Sequence, residues 1–304
     1  MKPTVNLFFL TGLLFYSGCL GTKTNAIVPR QRPVISRDGH TFVTDDGKLL
    51  RGAYWSTDWN GALPQRSYFS ELRKRNLNTL HLYGESFASG QKAGMYKNQI
   101  DTLVRWTREE GFYLVLTIGN LDKNGTYDPD FIKEFWKIYA PRFANETHVV
   151  YEIQNEPFAW QAGYAEDVLE MEMDACLQIR KLAPNTPVLL MSYARFVTPE
   201  DVLKDMRKID SVVDFQNAAI AFHGYAGAEE TGKTLQLVLE AGYPCINTEF
   251  AILHDADQVL SVDPWVLKLC EDYQISWIVF LTEGQIEKPE MFSGLLKKNN
   301  IAWQ

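Results

Sequence analysis

Short apolar segments alternate with longer amphipathic segments along most of the chain, and this alternation constrains the fold more than any other feature. Eight segments have the β-branched and aromatic composition of buried strands: Leu49–Trp55, Asn78–Tyr83, Tyr113–Ile118, His148–Asn155, Pro187–Ser192, Ala218–Phe222, Pro244–Thr248 and Ser276–Leu281. Five segments between them have helical periodicity: Tyr96–Glu110, Asp130–Tyr139, Ala165–Leu182, Thr231–Ala241 and Ala256–Cys270. Eight strands that alternate with helices predict an α/β fold, the (β/α)8 TIM barrel, in a single domain.

A short β-hairpin is predicted before the first barrel strand. The Asp-Gly pairs at 38–39 and 46–47 bracket the extended segment His40–Val43, and such pairs favour tight turns between strands. We expect this hairpin to cover the floor of the barrel. A doubly wound open sheet is the alternative fold, but the first strand is not followed by the G-x-G-x-x-G turn that is typical of dinucleotide-binding sheets.

The N-terminal residues 1–18 have the features of a secretion signal. Lys2 supplies a positive charge, Leu7–Tyr16 form an apolar run too short to span a bilayer, and small residues end the segment. Cys19 follows directly, so two alternatives stay open: lipidation at Cys19 as in bacterial lipoproteins, or ordinary cleavage beyond it. We expect a polar spacer at 19–33, the barrel domain at 34–304, and a secreted, periplasmic or cell-surface protein, with membrane attachment only if Cys19 is lipidated.

The composition argues against nucleic acid as a partner and gives no sign of a cofactor. Asp and Glu total 38 against 30 Lys and Arg, a net charge of -8, whereas nucleic-acid grooves are basic. Cys176, Cys245 and Cys270 have neither C-x-x-C nor His-Cys spacing, so buried thiols are expected and neither a disulfide framework nor a metal site is predicted. The 8 Trp, 14 Tyr and 17 Phe residues suit both a core and stacking against sugar rings.

Two carboxylates stand at the carboxyl ends of predicted strands. Glu156 lies near the end of the run His148–Pro157, where the fourth strand gives way to its loop, and Glu249 follows the seventh strand within Thr248-Glu249-Phe250. TIM-barrel enzymes place their chemistry at this end of the strands. Glycoside hydrolysis needs two carboxyl groups beside one bond, and a separation of about 5 Å selects the retaining route.

Three segments resemble glycoside hydrolase family 5, the cellulase-like enzymes of clan A. They are 151–157 (Y-E-I-Q-N-E-P), 223–225 (H-G-Y) and 248–250 (T-E-F), in the order and on the strands of that family. The resemblance implies that Glu156 is the general acid/base and Glu249 the nucleophile. It also implies that Asn155 binds the 2-hydroxyl of the sugar, that Tyr225 lies near Glu249, and that His223 lies near Glu156.

The chain departs from the family pattern at three strands. His81 is expected where the second strand carries an Arg beside the nucleophile, and Asn120 where the third strand carries a His. For the Trp platform of the eighth strand, the candidates are Phe280 and Trp277. These changes identify a divergent member of the family.

Other polar and aromatic residues near the predicted mouth have two interpretations. Trp55 and Trp59 follow the first strand and are either sugar-stacking or packing residues. Glu152 and Gln154 are expected to fill the barrel interior. Glu85 and Glu283 are expected to be solvated loop charges rather than substrate contacts.

The leading hypothesis is a monomeric retaining glycosidase that cleaves a β-linked glucan, mannan or related carbohydrate by double displacement. Two alternatives remain at this point. One is a catalytically inactive carbohydrate-binding barrel, suggested by the departures at His81, Asn120 and Phe280. The other is a different reaction on the same scaffold, such as transglycosylation, because barrels host many chemistries.

Overall fold

The barrel is closed. The computed structural model describes residues 30–57, 63–87, 92–119, 125–158, 164–251 and 265–280. The eight parallel barrel strands are β3 (Arg51–Ser56), β4 (Thr79–Ser86), β5 (Tyr113–Gly119), β6 (Val149–Glu152), β7 (Val188–Tyr193), β8 (Ala218–His223), β9 (Cys245–Glu249) and β10 (Trp277–Val279). Each pairs with the next, and β10 returns to β3 with Trp277 opposite Arg51. The predicted (β/α)8 barrel is confirmed.

Seven helices lie in the described ranges and pack outside the strands. They are α1 (Ser67–Lys74), α2 (Lys97–Glu110), α3 (Pro129–Arg142), α4 (Glu166–Leu182), α5 (Pro199–Ile209), α6 (Ala228–Glu240) and α7 (Trp265–Asp272). The predicted helices correspond to α2, α3, α4, α6 and α7, although residues 256–264 lie outside the described ranges. Helices α1 and α5 were not predicted, yet α5 carries a recognisable start, with Pro199 at its first position and Glu200 and Asp201 in its first turn. No helix of the described ranges is long and apolar enough to cross a membrane.

Side chains alternate between the barrel interior and the helix layer. On β4, Leu80 and Leu82 pack outward in the main core between strands and helices, while His81 faces inward beneath Tyr83. Near the floor the interior is apolar and includes Tyr113, Val115, Val150, Leu189 and Ile246. The three cysteines of the described chain are buried free thiols, as expected.

A small antiparallel sheet closes the floor. Its strands are β1 (Val34–Ile35) and β2 (Phe42–Val43), which confirms the predicted hairpin. Phe42 is fully buried in the interior cluster, and the Ser276 hydroxyl donates to its carbonyl at 2.6 Å. The Cys245 N–H donates to the His40 carbonyl at 2.7 Å, which ties the hairpin to the start of β9.

Irregular pairing is concentrated at the carboxyl ends of the strands. The register shifts between Tyr83 and Glu85 on β4, between Leu190 and Tyr193 on β7, and between Asn247 and Glu249 on β9. Bulges re-aim side chains next to functional sites. The residues at or next to these three shifts include Glu85, Ser192 and Glu249.

Candidate active site

Glu156 and Glu249 meet at the mouth of the barrel. Glu249 is the last residue of β9, and Glu156 lies four residues beyond the end of β6. One carboxylate oxygen of Glu156, one of Glu249 and a ring nitrogen of His223 all lie within 4.8 Å of one another. Both carboxyl groups are nearly enclosed, with Glu156 1% and Glu249 7% exposed. Two carboxyl groups at this spacing can act on opposite sides of a single bond.

Two phenol hydroxyls hold the Glu249 carboxylate. Tyr225 donates to Oε1 at 2.6 Å, and Tyr83 donates to Oε2 in a short hydrogen bond. Burial raises the pKa of Glu249 above its ordinary value, and the charge of Glu156 raises it further, although His223 and the two hydroxyls act in the opposite direction. Burial and the Glu249 charge raise the pKa of both tyrosines well above 10, so both remain donors.

His223 lies between the two carboxyl groups. Its Nδ1 is 2.6 Å from Oε1 of Glu156, and its Nε2 is 3.3 Å from the Ser192 hydroxyl. Burial alone would lower the pKa of His223, but the charges of Glu249 and Glu156 and the hydrogen bond to Glu156 raise it to about 9. The ring is therefore an imidazolium at neutral pH. Its two N–H groups can donate to Glu156 and to Ser192.

A second buried pair lies beneath the carboxylates. His81 Nε2 makes a short contact with Oε2 of Glu152, and the Thr248 hydroxyl donates to Oε1 of Glu152 at 3.0 Å. Burial opposes ionisation of Glu152, yet His81 and the hydrogen bonds lower its pKa. Glu152 thus fills the barrel interior, as predicted. Gln154 is also buried there, and its amide donates to the Thr126 carbonyl at 2.8 Å.

The structure corrects the interpretation that His81 takes the place of the family's Arg beside the nucleophile. His81 is fully buried against Glu152, and Tyr83, two residues later, reaches Glu249 instead. Strand alternation turns both side chains inward, but Tyr83 lies one layer closer to the mouth. The period-2 pattern of this strand was the signal that could have identified Tyr83.

Aromatic residues line one side of the mouth. Phe280 stacks on Tyr54 with ring centroids 4.1 Å apart, and Tyr54 lies 5.8 Å from Tyr83. Phe280 is therefore next to the site, as expected for the platform position. Tyr54 was not predicted as a site residue. Its neighbour Trp55, which was, points the other way and packs edge-on against Tyr68 in the helix layer.

Trp277 is a packing residue rather than a sugar platform. It is fully buried outside the barrel, and its indole N–H donates to Glu271 at 2.7 Å. Asn155 lies beside the site, since its Oδ1 accepts from Tyr83, the hydroxyl that also reaches Glu249, at 3.3 Å; its contact with a sugar 2-hydroxyl stays a prediction. Trp59, Asn120 and Glu283 lie outside the described residues.

Glu85 is not the solvated loop charge that was predicted. It is buried and accepts hydrogen bonds from the Gly94 and Tyr96 N–H groups at 2.7 and 2.8 Å and from the Tyr139 hydroxyl at 2.5 Å. These contacts fix the chain after β4 against α3. Sequence position alone gave no sign of these partners.

Glu156, His223 and Glu249 form the one group in the described ranges whose spacing could suit a metal ion. The distance between His223 Nδ1 and Glu156 Oε1, 2.6 Å, is that of a charge-assisted hydrogen bond. The two groups can therefore share a proton, and proton transfer combined with a carboxylate nucleophile is the chemistry that this arrangement can perform.

Comparisons with known proteins identify the family of the chain. The family model of cellulases, glycosyl hydrolase family 5, matches residues 43–285. A β-glucanase from Saccharophagus degradans has 19% identity and a TM-score of 0.65, over 89% of this chain and 94% of that one. The mannanase catalytic domain from Streptomyces sp. SirexAA-E has 17% identity and a TM-score of 0.63, over 92% and 84% of the two chains. An endoglucanase catalytic domain from Thermobifida fusca has 18% identity and a TM-score of 0.60, over 84% and 85%. The chain belongs to glycosyl hydrolase family 5 and is a glycoside hydrolase.

Proposed function

We propose that this protein is a retaining hydrolase of β-linked glucan or mannan chains, with Glu249 as nucleophile and Glu156 as acid/base. The observation that carries the proposal is the approach of the two carboxyl groups to within 4.8 Å. Retaining glycosidases hold these groups about 5 Å apart, whereas inverting enzymes need about 6.5–9.5 Å to admit a water molecule between carboxylate and sugar.

In the first step, a Glu249 oxygen attacks the anomeric carbon of the bound sugar. The bond from that carbon to the glycosidic oxygen breaks, and the departing oxygen takes the proton of Glu156. The products are a glycosyl ester on Glu249 and a free sugar hydroxyl. The Tyr83 and Tyr225 hydroxyls hold the attacking carboxylate in place.

In the second step, water attacks the same carbon from the side of Glu156. Glu156, now a carboxylate, takes a proton from the water, and the bond to Glu249 breaks. The second inversion restores the original anomeric configuration, and both carboxyl groups return to their starting protonation states. The imidazolium of His223 stabilises Glu156 whenever it is charged.

The substrate assignment is supported by the names of the structural relatives. They are called β-glucanases, lichenases, endoglucanases and mannanases, and one Thermomonospora fusca β-mannanase is described as a mannohexaose complex. The Tyr54 and Phe280 rings beside the carboxylates suit the flat faces of hexose units.

The test is nucleophile replacement combined with covalent labelling. Glu249→Ala should lower kcat on a panel of chromogenic β-glucosides, β-mannosides and oligosaccharides by more than about 10⁴-fold, because the covalent route is lost. A 2-fluoro glycoside should add one sugar mass to the wild-type protein at the peptide that contains Glu249. Glu134→Gln, an exposed residue on the outer helix α3, is the control and should retain activity.

Labelling at another residue, or an inverted product by NMR, would contradict the assignment. Product masses distinguish the remaining alternatives: water addition supports hydrolysis, and sugar transfer in dilute acceptor supports a transglycosylase. Oligosaccharide binding without any turnover would support the inactive binding barrel.

We also propose that the protein acts outside the cytoplasm, where polymeric glycans are found. The support is the signal-like segment 1–18, and the choice between lipidation at Cys19 and ordinary cleavage stays open because residues 1–29 lie outside the described ranges. Metabolic labelling with an alkyne fatty acid, compared between the wild type and Cys19→Ser, distinguishes the two routes.

A further inference from the structure

Strand β7 contains a one-residue bulge at Met191 and Ser192, here called the Ser192 bulge. Leu190 pairs with Ile220 and Tyr193 with Phe222, so three steps on β7 match two on β8. Both bulge residues have left-handed backbones, with φ values of 78° for Met191 and 33° for Ser192. Such angles are unfavourable for residues other than glycine, and they persist where the surroundings enforce them, often at functional sites.

On the inner side, the bulge presents the Ser192 hydroxyl to the catalytic pair. The Glu156 N–H donates to Ser192 Oγ at 3.3 Å, and His223 Nε2 lies 3.3 Å from the same oxygen. The other ring nitrogen of His223 is 2.6 Å from the Glu156 carboxylate. Ser192, His223 and Glu156 therefore form a closed ring of contacts that fixes both the backbone and the carboxyl group of Glu156. Glu156 itself has a left-handed φ of 41°.

On the outer side, a buried carboxyl group holds the bulge. Glu172 projects from α4 with no exposed surface, and its Oε2 accepts a hydrogen bond from the Met191 N–H at 3.2 Å. Its Oε1 has no hydrogen-bond partner among the described residues. Burial raises the pKa of Glu172 to about 8, so the group is mostly protonated at neutral pH. An uncharged amide could accept the same hydrogen bond, whereas an aliphatic side chain could not.

We propose that Ser192 is a positioning residue for the acid/base Glu156, and that Glu172 holds the bulge from which Ser192 acts. The inference rests on the proposed function, because it assigns Glu156 the proton-transfer role. With both ring nitrogens engaged, His223 cannot rotate, and the Glu156 carboxyl group is kept in the plane that reaches the glycosidic oxygen. Proton transfer in the first step therefore depends on the Ser192 hydroxyl.

The test compares substrates that differ in their need for an acid. The leaving group of a 2,4-dinitrophenyl β-glycoside departs without protonation, whereas that of an oligosaccharide or an unsubstituted phenyl glycoside needs it. Ser192→Ala should lower kcat/KM for the poor leaving groups by about 10–100-fold and for the dinitrophenyl glycoside by less than about 3-fold. Ser276→Ala is the matched control, since it removes a buried, hydrogen-bonded serine at the barrel floor, and it should leave the ratio of the two kcat/KM values unchanged.

Glu172 variants test the outer half of the proposal. Glu172→Gln keeps an acceptor for the Met191 N–H and should retain the wild-type leaving-group dependence, whereas Glu172→Leu should reproduce the Ser192→Ala pattern in its folded fraction. Active-site titration with the 2-fluoro glycoside corrects each rate for that fraction.

Equal losses on all substrates in Ser192→Ala, or no loss at all, would overturn the inference. If the proposed function itself is wrong, Glu156→Ala should lower kcat/KM equally for good and poor leaving groups. The two failures are distinguishable because Glu156→Ala is measured on the same substrate series.

Discussion

At the scale of single residues, the proposed nucleophile Glu249 is held by two phenol hydroxyls. The neutral hydroxyls of Tyr83 and Tyr225 contact Glu249, while His81, which was expected at the position of the family's Arg, contacts Glu152 one layer below. A neutral donor stabilises a carboxylate less than a guanidinium does. The effect of burial therefore exceeds that of the two hydroxyls, and the pKa of Glu249 is raised.

The raised pKa of Glu249 predicts where kcat/KM falls on the acid side of its pH profile. In the proposed mechanism Glu249 must be ionised to attack, so kcat/KM falls as pH decreases through its pKa, and we expect that limb above the ordinary carboxyl value of 4.5. Tyr83→Phe or Tyr225→Phe removes a donor to the charged form, which raises the pKa further. Because a hydrogen bond to a charged group contributes about 1.5–3 kcal/mol, the limb should move up by about 1–2 pH units.

Initial rates on a dinitrophenyl glycoside, from pH 3 to 9, measure this shift. Tyr113→Phe is the control, because its hydroxyl donates to the Gln31 carbonyl at the floor of the barrel, far from Glu249. An acid limb that stays in place in both tyrosine variants would contradict the assigned role of the hydroxyls.

The His81–Glu152 pair predicts a stability effect. His81→Leu leaves the Glu152 carboxylate buried without its partner, and loss of one member of a buried pair costs about 3–5 kcal/mol in free energy of unfolding. The pKa of Glu152 is lowered in the folded wild type, so the pair's stabilisation is present above the ordinary carboxyl pKa and is lost as pH falls through the lowered value. The difference between variant and wild type should therefore be largest at neutral pH.

Urea unfolding at pH 7 and pH 4 measures this difference. The double variant His81→Leu with Glu152→Met removes both polar side chains of the pair and should recover part of the lost stability. Additive losses in the double variant would show that the two side chains do not interact.

At the scale of elements, the loop after β8 is fixed by a close approach of backbone to helix α7. A Cβ at Gly224 would lie 2.5 Å from Cγ1 of Val266 and 3.0 Å from Cβ of Phe250. The Gly224 N–H also donates to the Glu249 carbonyl at 2.8 Å. The glycine of the His-Gly-Tyr motif is therefore required by packing, and it sets the distance between β8 and β9.

Gly224→Ala should destabilise the fold by about 1–3 kcal/mol, the usual cost of overpacking, and should lower kcat because His223 and Tyr225 move with the loop. Gly232→Ala in α6 is the matched control, since its added methyl meets only the flexible end of Leu269, at 3.1 Å. Thermal unfolding and kcat are the two readouts. A Gly224→Ala variant with the melting temperature and the kcat of the wild type would contradict the packing argument.

At the scale of the whole molecule, the residues that stabilise the barrel floor and the residues of the candidate active site lie at opposite ends of the barrel. Phe42 and the apolar interior cluster close the floor, while the carboxylates, imidazole and phenols occupy the mouth. This division is general for TIM barrels. It separates the substitutions that should unfold the protein from those that should only inactivate it.

Phe42→Ala should lower the free energy of unfolding by about 3–5 kcal/mol, because it leaves a cavity beneath the barrel interior. The pH profile of kcat/KM in the folded protein should not change. Denaturant unfolding and rates well below the melting temperature measure the two effects. A shifted acid limb in this variant would show that the floor and the mouth are coupled.

The sequence by itself determined the barrel, because periodicity and turn chemistry are local. It also placed Glu156 and Glu249 at the carboxyl ends of barrel strands, because the motifs around them are contiguous. It could not determine that Tyr83 replaces the expected donor, that Trp55 and Trp277 face the helices, or that Glu85 and Glu172 find buried partners. Those outcomes depend on the layer that each strand residue reaches after the barrel closes, and on bulges that shift this layer by one residue. Register across strands is a property of long-range pairing, and only the tertiary structure decides it.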